Sequence, residues 1–218
     1  MRIAKIFFHY VINALHRPKR IFQVIKNAFV DLKFGGKYLG ISLQNFNEEN
    51  GYINTGSSEY DCLDILFSKV DITERDIIID LGCGKGRVIN WFLNKNIKNK
   101  ILGIEVYPEI ADFTRNRLKK YKQVEILTGC VGENINLIKQ GTIFYLYHPF
   151  RERLMKNFSD QVLALINSKV YHDKLRPLIV YHNSCYLHIF EKDPRWKTQK
   201  LGRIGEHESA IIYPTYGA

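Results

Sequence analysis

The stretch that most constrains this chain is Ile77-Ile78-Ile79-Asp80-Leu81-Gly82-Cys83-Gly84-Lys85-Gly86-Arg87-Val88, a β-branched apolar run that passes through an acid into alternating glycines. Three consecutive isoleucines read as a buried strand. Gly82, Gly84 and Gly86 then supply a tight turn with positive φ and no Cβ, opening a helix near Val88. Such a loop lets a ligand approach the backbone closely and offers N–H groups to it, so a largely main-chain contact is expected here.

The glycine spacing separates two cofactor classes. A dinucleotide loop wants G-x-G-x-x-G, and counting from Gly82 puts Arg87 where the third glycine belongs. The pattern present is D-x-G-x-G-x-G, carried by Asp80, Gly82, Gly84 and Gly86 with Cys83 inside the loop. This resembles motif I of the class I S-adenosylmethionine (SAM) methyltransferases. The resemblance implies SAM as cofactor and a Rossmann-like α/β fold: a seven-stranded, mostly parallel sheet with helices on both faces, closed by an antiparallel hairpin. Ile101-Leu102-Gly103-Ile104-Glu105 is the next apolar run ending in an acid. A carboxylate at that place can accept both ribose hydroxyls, and the resemblance gives this role to Glu105.

The remaining elements follow in order. The segment before a helix near Glu59 to Val70 folds over the methionine part of SAM in related methyltransferases, which makes Ser57, Ser58 and Tyr60 candidate contacts. An N-cap by Ser57 or Ser58 is the competing reading. Trp91 and Phe92 read as core. Pro108 opens the helix after the second strand, and Arg115, Arg117, Lys119, Lys120 and Lys122 read as its solvated side. Val124 to Leu127 is the third strand. Methyltransferases of this class commonly place an acid after it for the adenine amino group. Here Cys130 and Val131 occupy the region, so backbone groups around them are the expected adenine contacts.

Thr142 to Tyr147 is the fourth strand and runs into His148-Pro149-Phe150. The corresponding strand end in amino-group methyltransferases is (D/N/S)-P-P-(Y/F), so histidine replaces the usual amide or acid. His148 is expected to face the SAM methyl, as general base or as the group orienting the acceptor, with Pro149 biasing it towards an extended conformation. A backbone-satisfied strand-end histidine is the alternative. A helix from Glu152 to Ser168, a fifth strand from Leu178 to Tyr181 and a hairpin from Lys197 to Ile204 and Ser209 to Tyr213 complete the pattern.

Composition matters mainly for partners. The 218 residues carry a net charge of +10. Residues 1–40 hold eight basic residues against Asp31 alone, a net of +7, so the rest is nearly balanced. Ile3, Ile6, Phe7, Tyr10, Val11, Ala14 and Leu15, and after Arg17-Pro18-Lys19-Arg20 also Ile21, Val24, Ile25, Ala28, Phe29 and Leu32, recur at helical spacing. Two amphipathic helices with a proline break result. They either pack on the core or form a basic surface for an anionic membrane or polyanion. The run from Ile6 to Leu15 is too short to span a bilayer and is followed by Arg-Pro-Lys-Arg rather than a small-residue cleavage site. The polar run from Asn45 to Gly56 reads as a loop. Cys62, Cys83, Cys130 and Cys185 lack zinc or redox spacing, so no metal and a reducing cytoplasm are expected, with peripheral membrane attachment as a further location.

The sequence therefore divides into a basic helical extension, residues 1–54, and a SAM-binding domain, residues 55–218. The expected function is methyl transfer from SAM to an O or N nucleophile, most readily on a small molecule or saccharide. A protein or nucleic-acid acceptor, or a SAM-binding module without turnover, are the alternatives. The SAM loop also gives a likeness to the non-SET histone-lysine methyltransferases, which does not by itself name a protein substrate.

Overall fold

The structure, a computed structural model, describes residues 18–36, 57–132, 134–168 and 177–215. The helix expected over Ile3 to Leu15 and the loop expected over Asn45 to Gly56 lie outside these residues. Helix α1 (Pro18–Lys33) precedes α2 (Tyr60–Phe67). Then β1 (Ile77–Leu81), α3 (Arg87–Asn94), β2 (Lys100–Glu105), α4 (Pro108–Leu118) and β3 (Val124–Thr128) alternate. A short 3-10 turn, Ile135–Leu137, leads to β4 (Ile143–Tyr147), α5 (Glu152–Asn167), β5 (Leu178–His182), the one-turn α6 (His188–Glu191), β6 (Trp196–Ile204) and β7 (His207–Pro214).

The strands form one sheet in the order β3-β2-β1-β4-β5-β7-β6. Neighbours from β3 to β5 pair in parallel, while β7 is antiparallel to both β5 and β6. Chain order reverses between β1 and β4, and in such sheets the crevice beyond the carboxyl ends at that reversal is where ligands sit. The glycine loop follows β1 and His148 follows β4, so both stand at this crevice.

Side chains alternate across the sheet as strand geometry requires. Ile79, Leu81, Phe144, Leu146, Ile179 and Tyr181 pack with Leu154, Met155, Phe158 and Val162 of α5. Ile78, Ile101, Tyr145 and Val180 face Leu63, Leu66 and Phe67 of α2, Ile89 and Phe92 of α3, and Leu118 of α4. Trp91 and Phe92 are core residues, as expected, and the Trp91 indole N–H donates to Asp64 at 2.8 Å.

Three expectations are corrected. Helix α1 exists, but it does not pack on the core through its apolar side: Phe22, Val24, Ile25, Phe29 and Leu32 are exposed, while Asn27 and Asp31 are buried. The cause is a polar attachment. Asp31 receives Nε and Nη2 of Arg87 at 3.2 and 2.6 Å and the Tyr60 hydroxyl at 2.7 Å, and Gln23 donates to Glu59 at 2.6 Å. Second, α2 has Glu59 at its N-cap with no side-chain cap, so neither Ser57 nor Ser58 caps it; the Ser58 and Tyr145 hydroxyls instead lie 2.6 Å apart in the interior. Third, Arg117 is not on a solvated side of α4. Its guanidinium donates to Phe34 O at 2.8 Å, Asn90 Oδ1 at 2.9 Å and Lys85 O at 2.6 Å, bracing the glycine loop from behind.

Candidate active site

Strand β1 delivers Asp80 to its end, buried and next to Glu105 at the end of β2. The loop between β1 and α3 turns through left-handed glycines, with φ of 73° at Gly82, 50° at Gly84 and 76° at Gly86. A Cβ on Gly86 would lie 2.9 Å from both Arg117 Nη2 and Thr114 Cγ2. One on Gly82 would lie 3.0 Å from Pro149 Cβ, so the turn after β4 seats directly on the glycine loop.

The loop's amides are not free for a ligand, contrary to the main-chain contact expected. Gly82 and Cys83 N–H both donate to Ile104 O at 2.8 and 2.9 Å, Gly86 N–H to Cys83 O at 2.8 Å, and Gly84 N–H to Glu105 Oε2 at 2.9 Å. Thr114 Oγ1 donates to Gly84 O at 2.8 Å and closes the turn. These glycines thus build the turn and let Pro149, Thr114 and Arg117 pack against it.

The acids carry the electrostatics. Asp80 Oδ2 is buried with no hydrogen-bond partner among the described residues, and burial together with the nearby Glu105 charge pushes its carboxyl up to about 8. Glu105 is also raised by burial, against which the Tyr107, Gly84 and Val106 amides hold it down. Its Oε1 accepts Tyr107 N–H at 3.0 Å, leaving each oxygen a further lone pair. An orphaned buried carboxylate beside a second acid is costly unless a cationic group enters. SAM, with a sulfonium and an α-ammonium, is such a group, and its ribose diol suits the spare lone pairs of Glu105.

The other expected cofactor residues are dispersed around this centre. Cys130 and Val131 follow β3, half-buried and buried respectively. Ser57 is half-buried ahead of α2. Tyr60 is buried, but its hydroxyl is spent on Asp31 and accepts from Asn90 Nδ2 at 3.4 Å, towards α1.

Across the crevice His148 stands one residue past β4, with φ 43°. This left-handed turn replaces the extended conformation expected from the following proline; Pro149 seated on Gly82 demands the sharp bend. The imidazole Nε2 is buried without a hydrogen-bond partner among the described residues, and Nδ1 lies 3.4 Å from Asn183 Nδ2. Cys185 Sγ–H donates to Asn183 Oδ1 at 3.3 Å, which orients the amide so that its NH₂ faces His148. His148 Nδ1 then accepts and the ring's proton resides on Nε2. Burial, His207 and Arg151 keep His148 below its usual range, so the ring is neutral at pH 7. Nearby, Tyr147 Oη and His207 Nε2 are 3.0 Å apart, and His182 Nδ1 and Ser209 Oγ 2.9 Å; burial and His207 depress His182 to about 4. Sequence reading missed Asn183, Cys185, His182 and His207. The available signal was a polar H-N-S-C run directly after an apolar strand.

The sheet order, the glycine loop and the paired strand-end acids define a class I SAM-dependent methyltransferase. The family model "Histone methylation protein DOT1" matches residues 55–179, more than half of the chain, and the protein belongs to that family. Among solved structures, a methyltransferase from Geobacter sulfurreducens superposes with a TM-score of 0.54 at 13% identity, covering 88% of each chain. A SAM dependent methyltransferase from Aquifex aeolicus does so at 0.51 with 14% identity, covering 71% of this chain and 88% of that one. At these identities the likeness is one of fold. No curated protein matches the chain.

Proposed function

We propose that the enzyme methylates an uncharged O or N nucleophile, a hydroxyl of a small molecule or saccharide in the first place. The observation carrying this reading is the buried Nε2 of His148, without a hydrogen-bond partner among the described residues, beside Asn183, with the Tyr147, His182 and His207 rings packed together nearby. Among these strand-end residues none is an acid that would receive a lysine ammonium or balance a cationic acceptor. A neutral hydroxyl needs no such partner.

Bound SAM supplies the activated methyl on a good leaving group. The protein's work is placement. Asp80 answers the positive charge of the methionine part, Glu105 holds the ribose, and the turn of Gly82, Cys83, Gly84 and Gly86 forms the floor on which the cofactor lies. Ser57 and Tyr60 border the methionine end, and backbone around Cys130 and Val131 the adenine. His148 donates from Nε2 to an oxygen of the acceptor and fixes the angle at which its reacting lone pair meets the methyl, and the proton that the hydroxyl loses as the O–CH3 bond forms and the S–CH3 bond breaks passes to water. Orientation of this kind contributes up to ~7–11 kcal/mol in well-aligned systems.

A protein amine is the second reading, favoured by the family match over residues 55–179. A screen with methyl-labelled SAM against hydroxylated small molecules, saccharides, histones and RNA separates them. Label transfer to saccharide or small-molecule hydroxyls is the expected result; transfer to protein or RNA alone would replace the first reading.

A further inference from the structure

Helix α1 is attached by its polar side and offers its apolar side to solvent. Phe22, Ile25, Phe29 and Leu32 recur at helical spacing on that outer side, with Phe22 72% and Phe29 69% exposed. The orientation is built in. Asp31 is clamped by both the guanidinium of Arg87 and the hydroxyl of Tyr60, Asn27 Oδ1 accepts the Tyr60 N–H at 3.4 Å, and Lys33 reaches Asn94 at 2.7 Å. Rolling the helix to bury its phenylalanines would strip Arg87 of its counter-charge in a site where the pair is nearly enclosed.

Charge accompanies this face. Lys26 and Lys33 lie one turn beyond Phe22 and Phe29 and flank it, their ammonium groups reaching Asp61 and Asn94 at its margin. Arg2, Lys5, Arg17, Lys19, Arg20 and Lys37 belong to the same segment, whose single acid, Asp31, is turned inward. An apolar stripe edged by basic residues, on a helix too short and too polar to cross a bilayer, is the physical signature of an element lying in the headgroup region.

We propose that α1 is an interfacial anchor for an anionic lipid bilayer: Phe22, Ile25, Phe29 and Leu32 enter the headgroup–acyl boundary, and the basic residues of the segment meet lipid phosphates. A second copy of the chain would bring two segments of like charge together, and a nucleic-acid or other soluble polyanion would leave the four apolar side chains in water. Neither matches both halves of the face.

The test is co-sedimentation of the full chain with vesicles of phosphatidylcholine alone or mixed with phosphatidylglycerol. The parent should partition onto the mixed vesicles, less so at high salt, and not onto neutral ones. The double variant Phe22→Ser/Phe29→Ser, altered only at exposed positions, should bind the mixed vesicles at least about tenfold more weakly with unchanged melting temperature and SAM affinity. Equal binding by parent and double variant would overturn the proposal in favour of a purely electrostatic polyanion site. A parent that ignores vesicles but dimerises through the two phenylalanines would overturn it in favour of self-association.

Discussion

His148 and Asn183 stand one residue beyond the register pair Tyr147 and His182, and both bend through a left-handed backbone, φ 43° and 53°, with Nδ1 and Nδ2 3.4 Å apart. Two non-glycine residues in that conformation at adjacent strand ends store strain, of order 1–3 kcal/mol each, which the surrounding sheet holds in place. His148→Ala should lower kcat by about two orders of magnitude with SAM affinity nearly unchanged. Asn183→Gly keeps the backbone at ease but frees the imidazole. It should lower kcat by roughly tenfold while the melting temperature hardly moves. Steady-state kinetics and SAM titration check both; full turnover in the glycine variant would show that the amide does not position the ring.

Asp80 makes SAM binding a proton-linked event. With its carboxyl raised to about 8, the acid is largely protonated in the empty site at neutral pH, and an arriving cation favours the ionised form. Binding therefore releases a proton, and affinity should rise as pH goes from 6 towards about 8 and level off above it. Calorimetry in buffers of differing ionisation enthalpy measures the proton count. Uptake, or none at all, would show that Asp80 does not meet the charge.

Glu105 has two duties, so Glu105→Ala should weaken SAM by about 1.5–3 kcal/mol and also lower thermal stability. The second effect arises because the Gly84 and Tyr107 amides lose their acceptor. Parallel melting and binding curves separate the two, and unchanged SAM affinity would dismiss the ribose contact.

His182 and Asp80 tilt the pH dependence of stability in opposite directions. His182, depressed to about 4, binds a proton more readily when unfolded, so its contribution is complete above the ordinary 6.5 and is lost as pH falls towards 4. Asp80, raised, binds its proton more tightly when folded and costs stability as pH rises from about 4 to 8. The two slopes cancel in the parent between 4 and 6.5. His182→Asn should expose the Asp80 slope alone, diverging from the parent by up to about 3 kcal/mol across that window. Urea titrations at pH 4.5 and 7 read the divergence, and parallel curves would rule it out.

Local chemistry written in the sequence carried most of the fold. Apolar runs ending in Asp80 and Glu105 located two strands to within a residue, because a buried strand leaves a continuous apolar signature. The hairpin was legible in its two β-prone runs around Gly205. Helical periodicity located α1 as well, yet periodicity says which residues share a face and not which face the body takes. The deciding contacts, Asp31 with Arg87 and Gln23 with Glu59, join residues far apart in the chain. Arg117 was misread for the same reason: its charge looked like solvated helix surface, while its partners are two backbone carbonyls and Asn90. Asn183 became significant only when β5 placed it beside His148. Asparagine is enriched at positive φ, but nothing local marks the neighbouring strand.

The clamp between Asp31 and Arg87 has a consequence for where this protein can be divided. The family match begins at residue 55, inviting the view that everything before it is an accessory. A chain cut there would keep Arg87 at the mouth of the glycine loop while deleting the carboxylate that neutralises it, and would leave the Tyr60 hydroxyl without its acceptor. The catalytic body has, in effect, borrowed part of its electrical balance from α1, so the two belong to one folding unit.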